Sequence, residues 1–194
     1  MMEKSDARFL KAWKRFCDYY QKSRKDYEYY NSEEMYAESG FHGPHFREER
    51  DIVFHLGRFC YDEFGDRWIH LESPIYKMYF EKLSSKKRFV DIEISDPHSF
   101  MIENARRGVF VEVKWIWQGI HKARSSWVRD KIVSIEKDLA KLQHLLKEGC
   151  CEHAFMCIVD EEPNHTNIEK HNRVVEWEKR YVPVKVLISS YLAT

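Results

Sequence analysis

The amino-acid sequence predicts an α/β fold, with helices packed on the faces of a central mixed β-sheet. Three observations carry this expectation. Strand-patterned stretches alternate with stretches of helical periodicity instead of forming a separate block. The longest helical pattern, about 126–148, is flanked by two strand-like runs, 108–117 and 153–159. With 194 residues, 43% of them apolar and 15% aromatic, the chain can bury one proper core.

The elements follow in order. Phe9, Trp13, Phe16 and Tyr20 recur at helical spacing, which predicts a helix over 7–30 with one apolar stripe. Ser39-Gly40 and Gly43-Pro44 punctuate a loop. A second helix is expected over 47–64, where Ile52, Val53, Leu56, Phe59 and Cys60 share one sector and Gly65-Asp66 ends the pattern. WIHLES (68–73) reads as a short strand, and KRFVDIEIS (87–95) as a clear one in which Val90, Ile92 and Ile94 alternate with Phe89, Asp91 and Glu93. After a 13-residue connection comes GVFVEVKWIW (108–117), opened by Gly108 as a breaker. The long helix presents Val128, Ile132, Ile135, Leu139, Leu142 and Leu146 on one face and stops at Gly149. HAFMCIV (153–159) is a buried strand, NIEKHNRVVEWEKRY (167–181) a polar-faced helix, and VPVKVLISSYL (182–192) a final strand.

Several function classes drop out. No apolar run approaches the roughly 20 residues needed to span a bilayer. The charged start, MMEKSDARFLKAWKRF, lacks the apolar core of a signal peptide, and five cysteines form no disulfide framework, so a cytoplasmic location is expected. There is no P-loop, dinucleotide fingerprint, G-x-S-x-G or H-E-x-x-H. Formal net charge is zero, but residues 77–147 hold 15 Lys and Arg against 9 Asp and Glu, an excess concentrated around the 108–117 strand.

That strand poses the functional question. Glu112 and Lys114 interrupt an apolar run, where a charge is expensive unless paired or put to use. Period-two geometry places both on one face with Phe110 and Ile116. Asp91 interrupts the preceding strand in the same way. If the two strands pair, Asp91 and Glu112 approach within reach of one cation. Two close carboxylates repel unless a divalent cation lies between them, and hard Mg²⁺ or Mn²⁺ suits such oxygens. Such an ion activates water and neutralises charge on phosphorus, the chemistry of phosphodiester hydrolysis, with a lysine alongside to orient the water or stabilise the transition state.

Asp91, a 20-residue gap, then Glu112-Val113-Lys114 within a strand resembles the PD-(D/E)xK nuclease superfamily. The element order over about 47–160 is similar to its αβββαβ, restriction endonuclease-like core. The resemblance implies Asp91, Glu112 and the Val113 carbonyl as Mg²⁺ (or Mn²⁺) ligands, and Lys114 as the catalytic lysine. It also implies a carboxylate on the helix before the sheet, a place Glu49 fits: at about 100° per residue it is centred on the Ile52, Val53, Leu56, Cys60 stripe. Glu48 falls toward the edge of that stripe. The chain departs from the pattern in having Val90, not Pro, before Asp91. The (D/E)-x-K string is weak alone but occurs once in this chain, inside a strand. The bland alternative is that Glu112 and Lys114 pair across a solvated sheet face.

Other candidates have bland readings beside them. Glu72, closing the first strand, could supply another metal ligand, and Glu93, on the same face as Asp91, an acid just outside the ligands; an exposed charge is the simpler reading for each. Lys131 and Asp138 flank the long helix's apolar stripe on the same side; Lys131 could touch a phosphate, or the two could form a rim salt bridge. In WIWQGIHKARSSW (115–127), three tryptophans are interleaved with Gln118, His121, Lys122 and Arg124. Such a segment can stack on bases and neutralise phosphates, or place its tryptophans in the core and its charges on the rim. Cys150, Cys151, His153 and Cys157, or His42 and His45, lack the paired spacing of a structural zinc site.

The expected organisation is one nuclease-like domain: a helical extension (1–46), the core (47–160), and a closing helix and strand (161–194). The expected function is metal-dependent hydrolysis of nucleic acid, with DNA the favoured substrate. The alternative is an inactive nuclease-fold protein that binds nucleic acid or protein. Cleaving both strands of a duplex would favour a homodimer.

Overall fold

The computed structural model describes residues 4–30, 49–74, 89–95, 107–117, 125–161 and 163–191. Helices α1 (Ser5–Tyr30) and α2 (Glu49–Glu63) precede strands β1 (Trp68–Pro74), β2 (Phe89–Ser95) and β3 (Arg107–Ile116). Helix α3 (Ser125–Lys147) leads to β4 (Cys151–Asp160), and α4 (Pro163–Thr166) and α5 (Arg173–Arg180) lead to β5 (Lys185–Ser190). The five strands form one mixed sheet in the order β1-β2-β3-β4-β5. β2 runs antiparallel to both its neighbours, while β3, β4 and β5 are mutually parallel. Parallel neighbours need a crossover, which α3 provides between β3 and β4.

Two apolar layers sandwich the sheet. On one face, Phe9, Trp13, Phe16 and Tyr20 of α1 and Ile52, Val53, Leu56 and Cys60 of α2 pack on Ile92, Ile94, Val109, Val111, Val113, Phe155 and Cys157. On the other, Ile135, Leu139, Leu142 and Leu145 of α3 and Trp177 of α5 pack on Phe110, Ile116, Met156, Ile158 and Val186. Burying each such side chain contributes about 1.5–3 kcal/mol. The central strands β3 and β4 are buried on both faces, which explains their nearly unbroken apolar composition. Arg8 ties α1 to the end of α2: its Nε donates to the Glu63 carbonyl at 2.8 Å and its guanidinium pairs with Asp66 at 2.5 Å.

The C-terminal helix departs from expectation. Helix is confined to Arg173–Arg180 rather than spanning 167–181. Asn167 and Asn172 adopt φ of 49° and 52°, a left-handed conformation that asparagine tolerates and that interrupts a helix. Among the described residues no helix is long and apolar enough to cross a membrane.

Candidate active site at a fork in the sheet

β2 and β3 pair over three positions, Ile94–Val109, Glu93–Phe110 and Ile92–Val111. Beyond them the strands separate. β2 continues beside β1 to Phe89, and β3 continues beside β4 to Ile116. Extending the register by one step would set Asp91 opposite Glu112, so both acids stand where the sheet divides.

The division has a local cause. Ile92 and Ile94 pack in the α1/α2 layer, but Val90 packs in the α3 layer, so the expected alternation of Val90, Ile92 and Ile94 breaks at Asp91. In the β1–β2 ladder the Glu72–Asp91 position is skipped, and Glu72 has φ of 50°. A non-glycine residue in this region is strained, and such strain gathers at functional sites. The free margin of β3 is occupied by acids instead of by a strand. The Val113 N–H donates to Asp91 Oδ2 at 2.7 Å and the Trp115 N–H to Glu49 Oε2 at 3.2 Å. Glu49 is the first residue of α2, where its charge is also favoured by the helix dipole.

Beneath the fork runs a chain of alternating charges. Lys114 Nζ lies 3.4 Å from Glu49 Oε1 and 2.9 Å from Asp138 Oδ2. Asp138 Oδ1 is 3.6 Å from Lys141 Nζ, which in turn is 2.5 Å from Glu112 Oε1. Each ammonium also donates to a backbone carbonyl, Lys114 to Val113 at 3.1 Å and Lys141 to Phe89 at 2.9 Å. Glu112, Lys114, Asp138 and Lys141 are 4% exposed or less. Desolvating so many charges is costly, and their mutual pairing and backbone hydrogen bonds offset part of that cost.

Burial, then the neighbouring Asp91 charge, push the Glu112 carboxyl up to about 8 against the pull of Lys141. Burial also raises Asp91, despite the Val113 N–H and Lys114. For Lys114, burial opposes the charge, but Glu49, Asp138 and Glu112 outweigh it and hold the amine firmly protonated. With Glu49 and Asp138, four carboxylates share this space with two ammonium groups.

Asp91 and Glu49 thus both accept from amides of β3, Glu49 meets Lys114, and Glu112 lies close enough to Asp91 to feel its charge. Glu112 and Lys114 do not pair on a solvated face; both are buried and each takes another partner. The Val113 carbonyl accepts from Lys114. Glu93 is not an exposed charge: it is fully buried and accepts from the Ser73 hydroxyl, because residues facing Phe110 are covered. Glu72 is exposed, beside Arg50 at 3.1 Å. Lys131 and Asp138 form no rim salt bridge; Lys131 Nζ donates to the Trp115 carbonyl at 3.3 Å, while Asp138 turns inward. Gln118, His121, Lys122 and Arg124 lie outside the described residues, as do Glu48, His42 and His45. Among the described residues no three His, Cys, Asp or Glu side chains are grouped to hold a metal ion, and Cys150, Cys151 and Cys157 are buried outside any disulfide.

Lys141 and the inward role of Asp138 escaped sequence reasoning. The buried face of α3 includes Leu145 and leaves Ile132 and Leu146 only partly buried. At about 100° per residue Asp138 falls between Leu142 and Leu145, inside the apolar sector. An acid flanked in this way, with a lysine three residues on, was the available signal.

Comparison with protein-family models, curated proteins and solved structures finds no match to this chain.

Proposed function

We propose that this protein is a Mg²⁺-dependent nuclease of the PD-(D/E)xK type that hydrolyses a phosphodiester bond, with DNA as the favoured substrate. The observation that carries the reading is the gathering of acids where β2 and β3 part: Asp91 and Glu49 accept from the β3 amides, Glu49 meets Lys114, and Glu112 lies close enough to Asp91 to feel its charge. Asp91 and Glu112 would hold the ion, with the Val113 carbonyl and Glu49 beside them. Mg²⁺ takes only one or two protein carboxylates and keeps several waters, so a pair of acids is enough to support the reading. When bound, the ion would supply a more acidic water and neutralise charge developing on phosphorus. The αβββαβ order over Glu49–Asp160 supports the same reading.

The residues divide the work as follows. Lys114, held protonated, acts as a fixed cation that orients the attacking water and stabilises the phosphorane-like charge, not as a general base. Asp138 aims Lys114 from below. Glu49 holds the Trp115 amide and the ammonium together. Trp117, 46% exposed and stacked on Trp115 at 5.1 Å, offers an aromatic face where β3 leaves the fork.

A second reading, an inactive nuclease-fold binding protein, is favoured by one observation: Glu112 already has a cationic partner in Lys141. Calorimetry with Mn²⁺ and Mg²⁺, together with cleavage of supercoiled plasmid and of labelled oligonucleotides, separates the two. Metal binding lost in Asp91→Ala and cleavage lost in Lys114→Met is the expected result. Wild-type protein that takes no metal and cuts no nucleic acid would exclude the nuclease.

A further inference from the structure

Lys141 reaches both prongs of the divided sheet. Its ammonium donates to the Phe89 carbonyl on the β2 prong at 2.9 Å and meets Glu112 on the β3 prong at 2.5 Å. Asp138, on its own helix, completes the surround at 3.6 Å. Carboxylate and carbonyl oxygens are also what a hard divalent cation takes. The side chain is 4% exposed, so water cannot supply the missing solvation, and these oxygens are its anchorage.

From this we infer that Lys141 is an internal counter-ion that clasps the fork in the metal-free protein, and that a divalent cation binds Glu112 by displacing it. The inference rests on the metal-site reading above. Lys141 and a divalent cation in contact with one Glu112 carboxylate repel each other, and burial strengthens that repulsion. Lysine suits the exchange: its charge is compact and its four-carbon stem can swing away, whereas a planar guanidinium would lock onto the carboxylate. Without Lys141 the fork loses the cation in contact with Glu112, and its attraction for a divalent ion would rise. A merely structural Lys141 predicts a loss of stability alone.

The test is calorimetric titration of Mn²⁺ into wild type, Lys141→Met and Asp91→Ala, with thermal unfolding followed in chelator and in Mn²⁺. The expected result is at least tenfold tighter Mn²⁺ binding by K141M than by wild type, with a larger rise in Tm on adding Mn²⁺. Equal or weaker binding by K141M, with wild type binding normally, overturns the clasp and leaves the metal site standing. If wild type is silent but K141M binds, Lys141 blocks the site without being displaced, which overturns the exchange and the metal-dependent nuclease with it. Silence in both overturns the metal reading and the clasp with it. Should K141M fail to fold in chelator, refolding in millimolar Mn²⁺ supports displacement; failure to refold while wild type binds the ion overturns it.

Discussion

Lys114 and Asp138 meet at 2.9 Å between strand and helix, both almost wholly buried. Removing one member of such a pair strands the other charge in a medium that solvates it poorly. Asp138→Asn is expected to destabilise the fold by about 3–5 kcal/mol. Urea unfolding checks the magnitude. The double variant Asp138→Asn, Lys114→Met should cost less than the sum of the two single changes, because the charge left behind by the first is removed by the second.

Stability should fall as pH rises in chelator. Glu112 titrates near 4.5 when unfolded and near 8 in the fold, so between these values the folded state binds the extra proton. The contribution is fully present below pH 4.5 and is lost as pH climbs to about 8. Each pKa unit is worth about 1.4 kcal/mol, so the effect reaches a few kcal/mol. Glu112→Gln should flatten this slope in a series of denaturant titrations; an unchanged slope would assign it elsewhere.

Gly108 has a steric duty besides opening its strand. A Cβ there would lie 2.4 Å from the Ile94 carbonyl oxygen across the β2–β3 ladder. The obstacle is backbone, so the strands must part to admit even a methyl group. Gly108→Ala is expected to lower stability by roughly 1–3 kcal/mol and to weaken any metal binding at the fork just beyond. A chemical melt with unchanged midpoint would contradict this.

Trp117 gives a direct probe of the substrate surface. If bases stack on its exposed face, Trp117→Ala should weaken binding of single-stranded oligonucleotides by about 1–3 kcal/mol without altering the melting temperature. Tryptophan fluorescence quenching on titration with oligonucleotide in chelator is the measurement. A duplex bound as tightly by the variant as by wild type would show that stacking is confined to unpaired substrate.

The alternation that marked β2 and the apolar run of β3 and β4 were legible because period two and burial on both faces leave direct traces in composition. Asp91, Glu112, Lys114 and Glu49 were legible because each is a charge set in an apolar pattern. The remainder was not, for physical reasons. Asp138 sits at the margin of a helical stripe whose true centre depends on how α3 rolls against the sheet, which decides between Leu145 and Leu146. Lys141 makes its contacts with residues 29 and 52 positions away, Glu112 and Phe89, so only the tertiary structure brings them together. The break at Asp91 coincides with the left-handed Glu72 in a neighbouring strand, invisible to any pattern within β2.

Where the two strands part, carboxylates stand in for a missing neighbour by accepting the Val113 and Trp115 amide protons. Drawing Asp91 or Glu49 away to any other partner would therefore leave a main-chain donor without its acceptor. Deuterium uptake at those two amides becomes a gauge of how the acids are engaged, readable residue by residue before any substrate is known.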